Sequence, residues 1–110
     1  MKVSELIPLI EAKNLTPTLS EDREVTCGYV CDLLSWVMGR AQMDNAWITI
    51  MSNNNVIAVA SLADTACVIL AEGVELSTEL KELAEAKDIN VLSSPKSAYE
   101  IAVILSGLLA

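Results

Sequence analysis

The run Asp22-Arg23-Glu24-Val25-Thr26-Cys27-Gly28-Tyr29-Val30-Cys31-Asp32 gathers many of the side chains in this 110-residue chain that could do chemistry. An arginine beside an aspartate can hold a turn through an ion pair or reach a phosphate, because its planar fork of donors suits either acceptor. Cys27 and Cys31 would point the same way if the stretch from Gly28 to Cys31 were helical, and could then form half of a metal or cluster site completed by a second subunit. Zinc and cluster sites need more ligands than this spacing supplies, so two small residues flanking a strand end is the simpler reading, and no metal is expected. Asp32 could serve as an acid, but it stands where the N-cap of a helix is due. Ser52, Asn53, Ser94 and Ser97 precede further expected helices. They read as caps, or as the rim of an anion cup in which free backbone amides point inward with Lys96 beside them.

Absences narrow the chemistry further. The chain has no histidine, which removes Ser-His-Asp and Cys-His machinery and any imidazole metal site. Gly28, Gly39, Gly73 and Gly107 are far apart, so there is neither a P-loop nor a dinucleotide fingerprint. No enzyme activity and no cofactor are expected. The formal net charge is −8, with 7 basic residues and no two of them adjacent. Without a basic stripe, neither duplex nucleic acid nor an anionic membrane is an expected partner. The longest apolar stretch, residues 98–110, is broken by Glu100 and Ser106 and is too short for a bilayer span. Met1-Lys2 runs straight into a helical pattern, and three cysteines is an odd number, so reduced thiols in a cytoplasm are expected.

The elements that must position these residues follow from pattern. Ser4 opens a short helix carrying Leu6, Ile7 and Ile10 on one face, with Pro8 in its first turn. Residues 15–19, with Pro17 inside, make at best an edge strand, and residues 25–29 a strand followed by a helix from Asp32 to about Met38. Strand Ala46–Ile50, helix Val56–Ala63, strand Ala66–Leu70, helix Thr78–Lys87 capped by Ser77, strand Asn90–Leu92 and a last helix opened by Ser94-Pro95 and running to the C-terminus complete the rhythm. Connections too long for hairpins predict an α/β fold: a single domain over residues 1–110 with a mostly parallel sheet of four to five strands flanked by helices. Hydrophobic residues make up 53% and aromatics 4%, so the core is built from Ala, Val, Ile and Leu.

Asp22-Arg23, a spacer, then Thr26-Cys27-Gly28 resembles the signature of the DRTGG domain, whose motif reads Asp-Arg, a spacer, Thr-Gly-Gly. The resemblance extends over most of the chain after about residue 15. Trp47-Ile48-Thr49-Ile50 is similar to the family's second strand, Asn55–Ala60 to the helix start that follows, and Leu92–Glu100 to its final strand-to-helix corner. Cys27 stands where the family has its first glycine. Such domains accompany CBS pairs, sit within regulated pyrophosphatases and phosphotransacetylases, occur alone, and are similar to the N-terminal domain of HPr kinase. The resemblance implies a regulatory module.

Two helices leave apolar residues over. Val56, Ile57, Val59 and Ala60 on one and Ile101, Ile104, Leu105 and Leu108 on the other are too many for one side of a sheet, which predicts a homodimer through these faces. Three functional readings result. The first is a non-catalytic regulatory or interaction domain, homodimeric or bound to another protein. The second is a sensor of a small anionic ligand such as an adenine nucleotide, held at the carboxyl ends of the strands by Arg23, Thr26, Gly28, Tyr29, Asp32, Ser52, Asn53, Ser94, Lys96 and Ser97. The third is a cysteine-based redox or metal accessory using Cys27 and Cys31.

Overall fold

Short apolar runs and capped helices alternate along the chain, and a computed structural model, which describes residues 1–109, assembles them around one sheet. The elements are α1 (Val3–Leu9), β1 (Lys13–Asn14), β2 (Cys27–Val30), α2 (Leu34–Arg40), β3 (Asn45–Thr49), α3 (Asn54–Ala63), β4 (Cys67–Leu70), α4 (Thr78–Ala86), β5 (Val91–Ser93) and α5 (Ala98–Ser106). The strand order is β1-β5-β4-β3-β2. β2, β3, β4 and β5 are parallel, and β1 joins β5 antiparallel with Lys13 opposite Ser93. The expected α/β fold with a mostly parallel sheet is the fold adopted.

The parallel strands lie side by side in chain order, so each crossover helix falls on the same face. Trp47, Val68, Leu70 and Val91 pack there against Val37 of α2, Val56, Ile57, Val59 and Ala60 of α3, and Ala84 of α4. Ala46, Ile48, Ile69 and Leu92 point the other way, onto Val3 and Leu6 of α1 and Ile101 and Leu105 of α5. This alternation is the period of two of a strand buried on both faces. β3, β4 and β5 are buried throughout, whereas Cys27, Gly28 and Val30 of β2 are exposed.

Several local expectations are corrected. The edge strand is Lys13–Asn14 and not residues 15–19, because Pro17 has no amide to give a ladder and the chain turns after Leu15 donates to the Val91 carbonyl. α1 starts at Val3, with Glu5 accepting from the Lys2 amide at 3.1 Å, and Pro8 lies near its end. α5 starts at Ala98, where Ser97 and Glu100 form a reciprocal capping box, and it ends at Ser106. Ser94 is instead buried, its hydroxyl donating to the Ile10 carbonyl at 2.6 Å.

The apolar faces assigned to pairing are also largely spent within the chain. Val56, Ile57, Val59, Ala60, Ile101 and Leu105 are each at most 5% exposed. Helices on both faces of a fully buried sheet consume more apolar surface than a one-sided count allows. Of that group Ile104 is half-buried and Leu108 remains 50% exposed.

Ile69 lies in the central strand with no exposed surface, while Leu62 on α3 is 72% exposed. Ile69→Ala is expected to cost about 2–5 kcal/mol by cavity formation, and Leu62→Ala less than about 0.5 kcal/mol. Urea unfolding midpoints at unchanged slope check both.

Candidate functional site

The charged half of the signature segment faces the amino ends of the strands. Asp44 precedes β3 and Asp64 precedes β4, and Arg23 reaches both. Its Nε and Nη2 donate to Asp44 Oδ1 at 3.0 and 2.9 Å, and Nη2 also donates to the Asp64 carbonyl at 2.7 Å and to Asp64 Oδ1 at 2.9 Å. Asp44 and Asp64 both adopt left-handed backbone, with φ of 66° and 55°. Aspartate tolerates that region better than bulkier residues do, because its short side chain can bond locally. Partial burial acts to lower the Arg23 pKa, but the hydrogen bonds and charges of Asp44 and Asp64 outweigh it and the net shift is upward. Arg23 is thus paired with Asp44 and Asp64, while Asp22 lies 3.9 Å from Lys2. Thr26 belongs to the same corner, its amide donating to the Asp44 carbonyl at 3.0 Å.

The carboxyl ends hold the other nominated residues in two separate groups. Beside β2 and β3, Asp32 accepts from Thr49 Oγ1 at 2.6 Å and from the Ile50 amide at 3.0 Å. It therefore ties two loops together and does not cap α2, whose N-cap is Leu33 without a side-chain bond. Trp47 Nε1 donates to the Cys31 carbonyl at 2.8 Å and fixes the same loop from below. Asn53, next to half-buried Ser52, accepts from the Asn55 and Val56 amides and caps α3 as expected.

On the far side of β4, Ser94 accepts from the Lys96 amide, and Lys96 Nζ bonds Glu11 at 2.9 Å, which raises the lysine pKa. In the capping box the Ser97 amide donates to Glu100 Oε1 at 3.1 Å and the Ser97 hydroxyl accepts from the Glu100 amide at 3.1 Å, and hydrogen bonding to Ser97 holds the Glu100 carboxyl below its usual range. The amides that would cup an anion are largely satisfied by the chain's own side chains. The geometry adds a second obstacle. Ligand crevices in open parallel sheets form where the strand order reverses, and β2-β3-β4-β5 contains no reversal. Arg23 and Thr26, at the amino edge, do not join the carboxyl-end groups.

The remaining feature is the rim of β2. A cleft of about 210 Å³ lies between this edge strand and α5, lined by Cys27, Gly28, Val30, Ile48, Ala102, Leu105, Ser106 and Leu109. Gly28 has no left-handed φ, and a Cβ there would meet nothing nearer than 3.9 Å. The fold of a single chain therefore does not require a glycine at this position. The same holds for Cys27, which is extended strand, so a side chain in place of the family's glycine meets no positive φ. Val30 on β2, Leu33, Trp36 and Met38 at and on α2, and Met43 in the loop that follows are each about half or more exposed, from 49% to 62%. Arg40 stacks over the Trp36 ring at 3.8 Å. These residues were missed by sequence reasoning. The available signal was a glycine within an apolar strand, which marks close approach of another backbone or ligand.

The condition on which Cys27 and Cys31 would point the same way as on a helix is not met, because Gly28 to Val30 is strand. Among the described residues no group of three or more His, Cys, Asp or Glu side chains is placed to hold a metal ion, and no helix is long and apolar enough to cross a membrane. A family model for the DRTGG domain matches residues 5–108. The chain belongs to the DRTGG domain family. Comparison with curated proteins gave no match. Among solved structures, this DRTGG domain is similar to the CBS and DRTGG domains of the regulatory region of Clostridium perfringens pyrophosphatase, complexed with the activator diadenosine tetraphosphate. The TM-score is 0.77 at 14% identity, covering 97% of this chain and 46% of that one, so the chain spans just under half of its neighbour's length. The likeness is one of fold.

The Arg23 bonds span three segments that are distant in sequence. Arg23→Ala is expected to lower stability by about 1.5–3 kcal/mol, the range for hydrogen bonds to charged groups. Arg23→Lys should recover only part of it, because one ammonium cannot reproduce the fork. Denaturant melts of the two variants check the ranking.

Proposed function

We propose that this DRTGG domain is a non-catalytic regulatory module that works by association, and that it pairs with a second copy through the β2 edge. The observation that carries the reading is β2 itself: an edge strand with exposed Cys27, Gly28 and Val30, followed in the chain by exposed Leu33, Trp36, Met38 and Met43. An edge strand offers unpaired backbone groups to another chain, and aromatic, methionine and arginine side chains are the types enriched at interfaces. Membership of the family and the fold shared with a pyrophosphatase regulatory region support a regulatory role. The lack of histidine, and the engagement of Asp32 by Thr49 and Ile50, support a role without catalysis. The three free cysteines suit a reducing, cytoplasmic setting.

A nucleotide-sensing role is the second reading, favoured by one observation: the neighbouring structure carries diadenosine tetraphosphate. Titration of ATP, ADP and diadenosine tetraphosphate followed by amide NMR separates the two. Saturable shifts in residues 27–33, 49–55 or 94–98 support sensing, and none at millimolar ligand leaves association.

Val30 is 50% exposed at the centre of the rim. Light scattering at micromolar concentration is expected to give a dimer mass for the parent chain and a monomer mass for Val30→Lys, because a lysine on an edge strand opposes pairing. A monomer mass for the parent overturns the association reading.

A further inference from the structure

β2 is a strand of four residues; Cys27 opens it, Cys31 follows it, and the two lie symmetrically about Tyr29 in sequence. The Thr26 amide bonds β3 through the Asp44 carbonyl. Alternation along a parallel ladder then turns the backbone groups of Cys27 and Tyr29 outward, toward the open edge. The ladder ends after Val30, where the Cys31 amide turns inward to the Ile48 carbonyl at 3.3 Å, so Cys31 enters the pairing through its side chain alone. Tyr29 and Cys31 pack toward α2 and α3, whereas Gly28 and Val30 line the cleft beside α5, with exposed Cys27 at its end and on the face of Tyr29 by the strand's period of two.

A two-fold axis that extends the sheet across this edge pairs β2 antiparallel with itself and keeps each face continuous. Only registers that match residues of the same face are then allowed. A register centred on Gly28 sets glycine against glycine and forfeits cross-strand packing at its centre. A register centred on Tyr29 sets Tyr29 beside its own copy and Val30 opposite Gly28, which are the aromatic and β-branched contacts that stabilise a sheet. It gives the glycine, unexplained within one chain, a partner side chain to accommodate. It also gives each Cys27 a Cys31 directly opposite.

Charge favours a second copy at this place. The chain carries a net charge of −8, so copies repel over most of their surface. Between Cys27 and Met43 the only charged residues are Asp32, bound to Thr49 and Ile50, and Arg40, stacked on Trp36. From Ile101 to Leu109 there is none. The rim is where two acidic chains can meet with little repulsion.

We infer that two copies of this chain join antiparallel along β2 about Tyr29, placing Cys27 of each against Cys31 of the other as a pair of redox-closable bonds. The inference rests on the association reading above and adds its register and its regulation. Within one chain the two sulfurs cannot bond, because four residues of extended strand separate their Cα atoms by roughly 13 Å. Residues directly opposite on antiparallel strands are roughly 4.5–5.5 Å apart at Cα, within the roughly 4.4–6.8 Å span of a disulfide. Each bond forms as two thiols give up their hydrogens to an azo oxidant, which is reduced to its hydrazine. Two such bonds lock one dimer, and a dithiol reductant reopens them.

The test uses full-length chains carrying Cys27→Ser or Cys31→Ser, exchanged with differently tagged copies under reducing conditions and then treated with diamide. Cys67 is fully buried and its thiol is pushed up to about 12, so it stays silent while the chain is folded. The parent chain is expected to run as a covalent dimer on non-reducing gels, with Cys27–Cys31 peptides by mass spectrometry. Each single variant alone should lose the covalent band, and mixing the two should restore it between differently tagged chains. Cys27 is exposed and Cys31 is half-buried at the margin of the core, and because serine is close in size to cysteine, circular dichroism of each variant should match the parent. A covalent band from Cys31→Ser alone, or no band on mixing although light scattering shows dimers, overturns the register and leaves association standing. A monomer mass under reducing conditions, with no band after oxidation, overturns both.

Discussion

Laying parallel strands side by side in chain order constrains everything else in this molecule. Each β-to-β crossover must run in the same sense, so α2, α3 and α4 all land on one face. The opposite face would be bare apolar sheet, and only the two ends of the chain are left to cover it. α1 and α5 do so, burying Val3, Leu6, Ile101 and Leu105 against Ile48, Ile69 and Leu92. The order also removes the reversal at which such sheets usually open a ligand crevice. Instead the carboxyl-end loops bond to one another, as when the Glu72 and Gly73 amides donate to the Lys96 and Ser94 carbonyls.

Much of this was legible in the sequence. Alternating apolar runs and capped helices gave the α/β class and the parallel pairing, because both follow from local periodicity and connection length. Asn53, Ser77 and Ser97 bond the amides expected of caps. The family assignment rested on Asp22-Arg23 and Thr26-Cys27-Gly28, and the match over residues 5–108 agrees.

What sequence did not reveal depends on pairs far apart in the chain. Nothing local to Arg23 announces Asp44 or Asp64, which lie 21 and 41 residues away. Asp32 has the spacing of a cap, yet a threonine hydroxyl and an amide on the next strand compete successfully for its carboxylate. The apolar surplus on α3 and α5 was real, but burial on both faces of the sheet absorbs most of it. Leu62 on α3 and Val103 on α5 remain exposed, and a further exposed set sits on α2 and the loop to β3, where a short helix and few periodic positions gave no pattern to read.

The two borders of the sheet are unlike. At one, β1 is two residues long, runs antiparallel to β5, and has Lys13 bonded to Glu75 beside it. A strand so short offers little backbone for anything to add to. At the other, β2 is open. A sheet with two such open borders can grow without limit, as fibrils do, whereas a single open border gives a sheet a valence of one. Under the association proposed for β2, the added partner would end the assembly, and copies would pair without becoming a polymer.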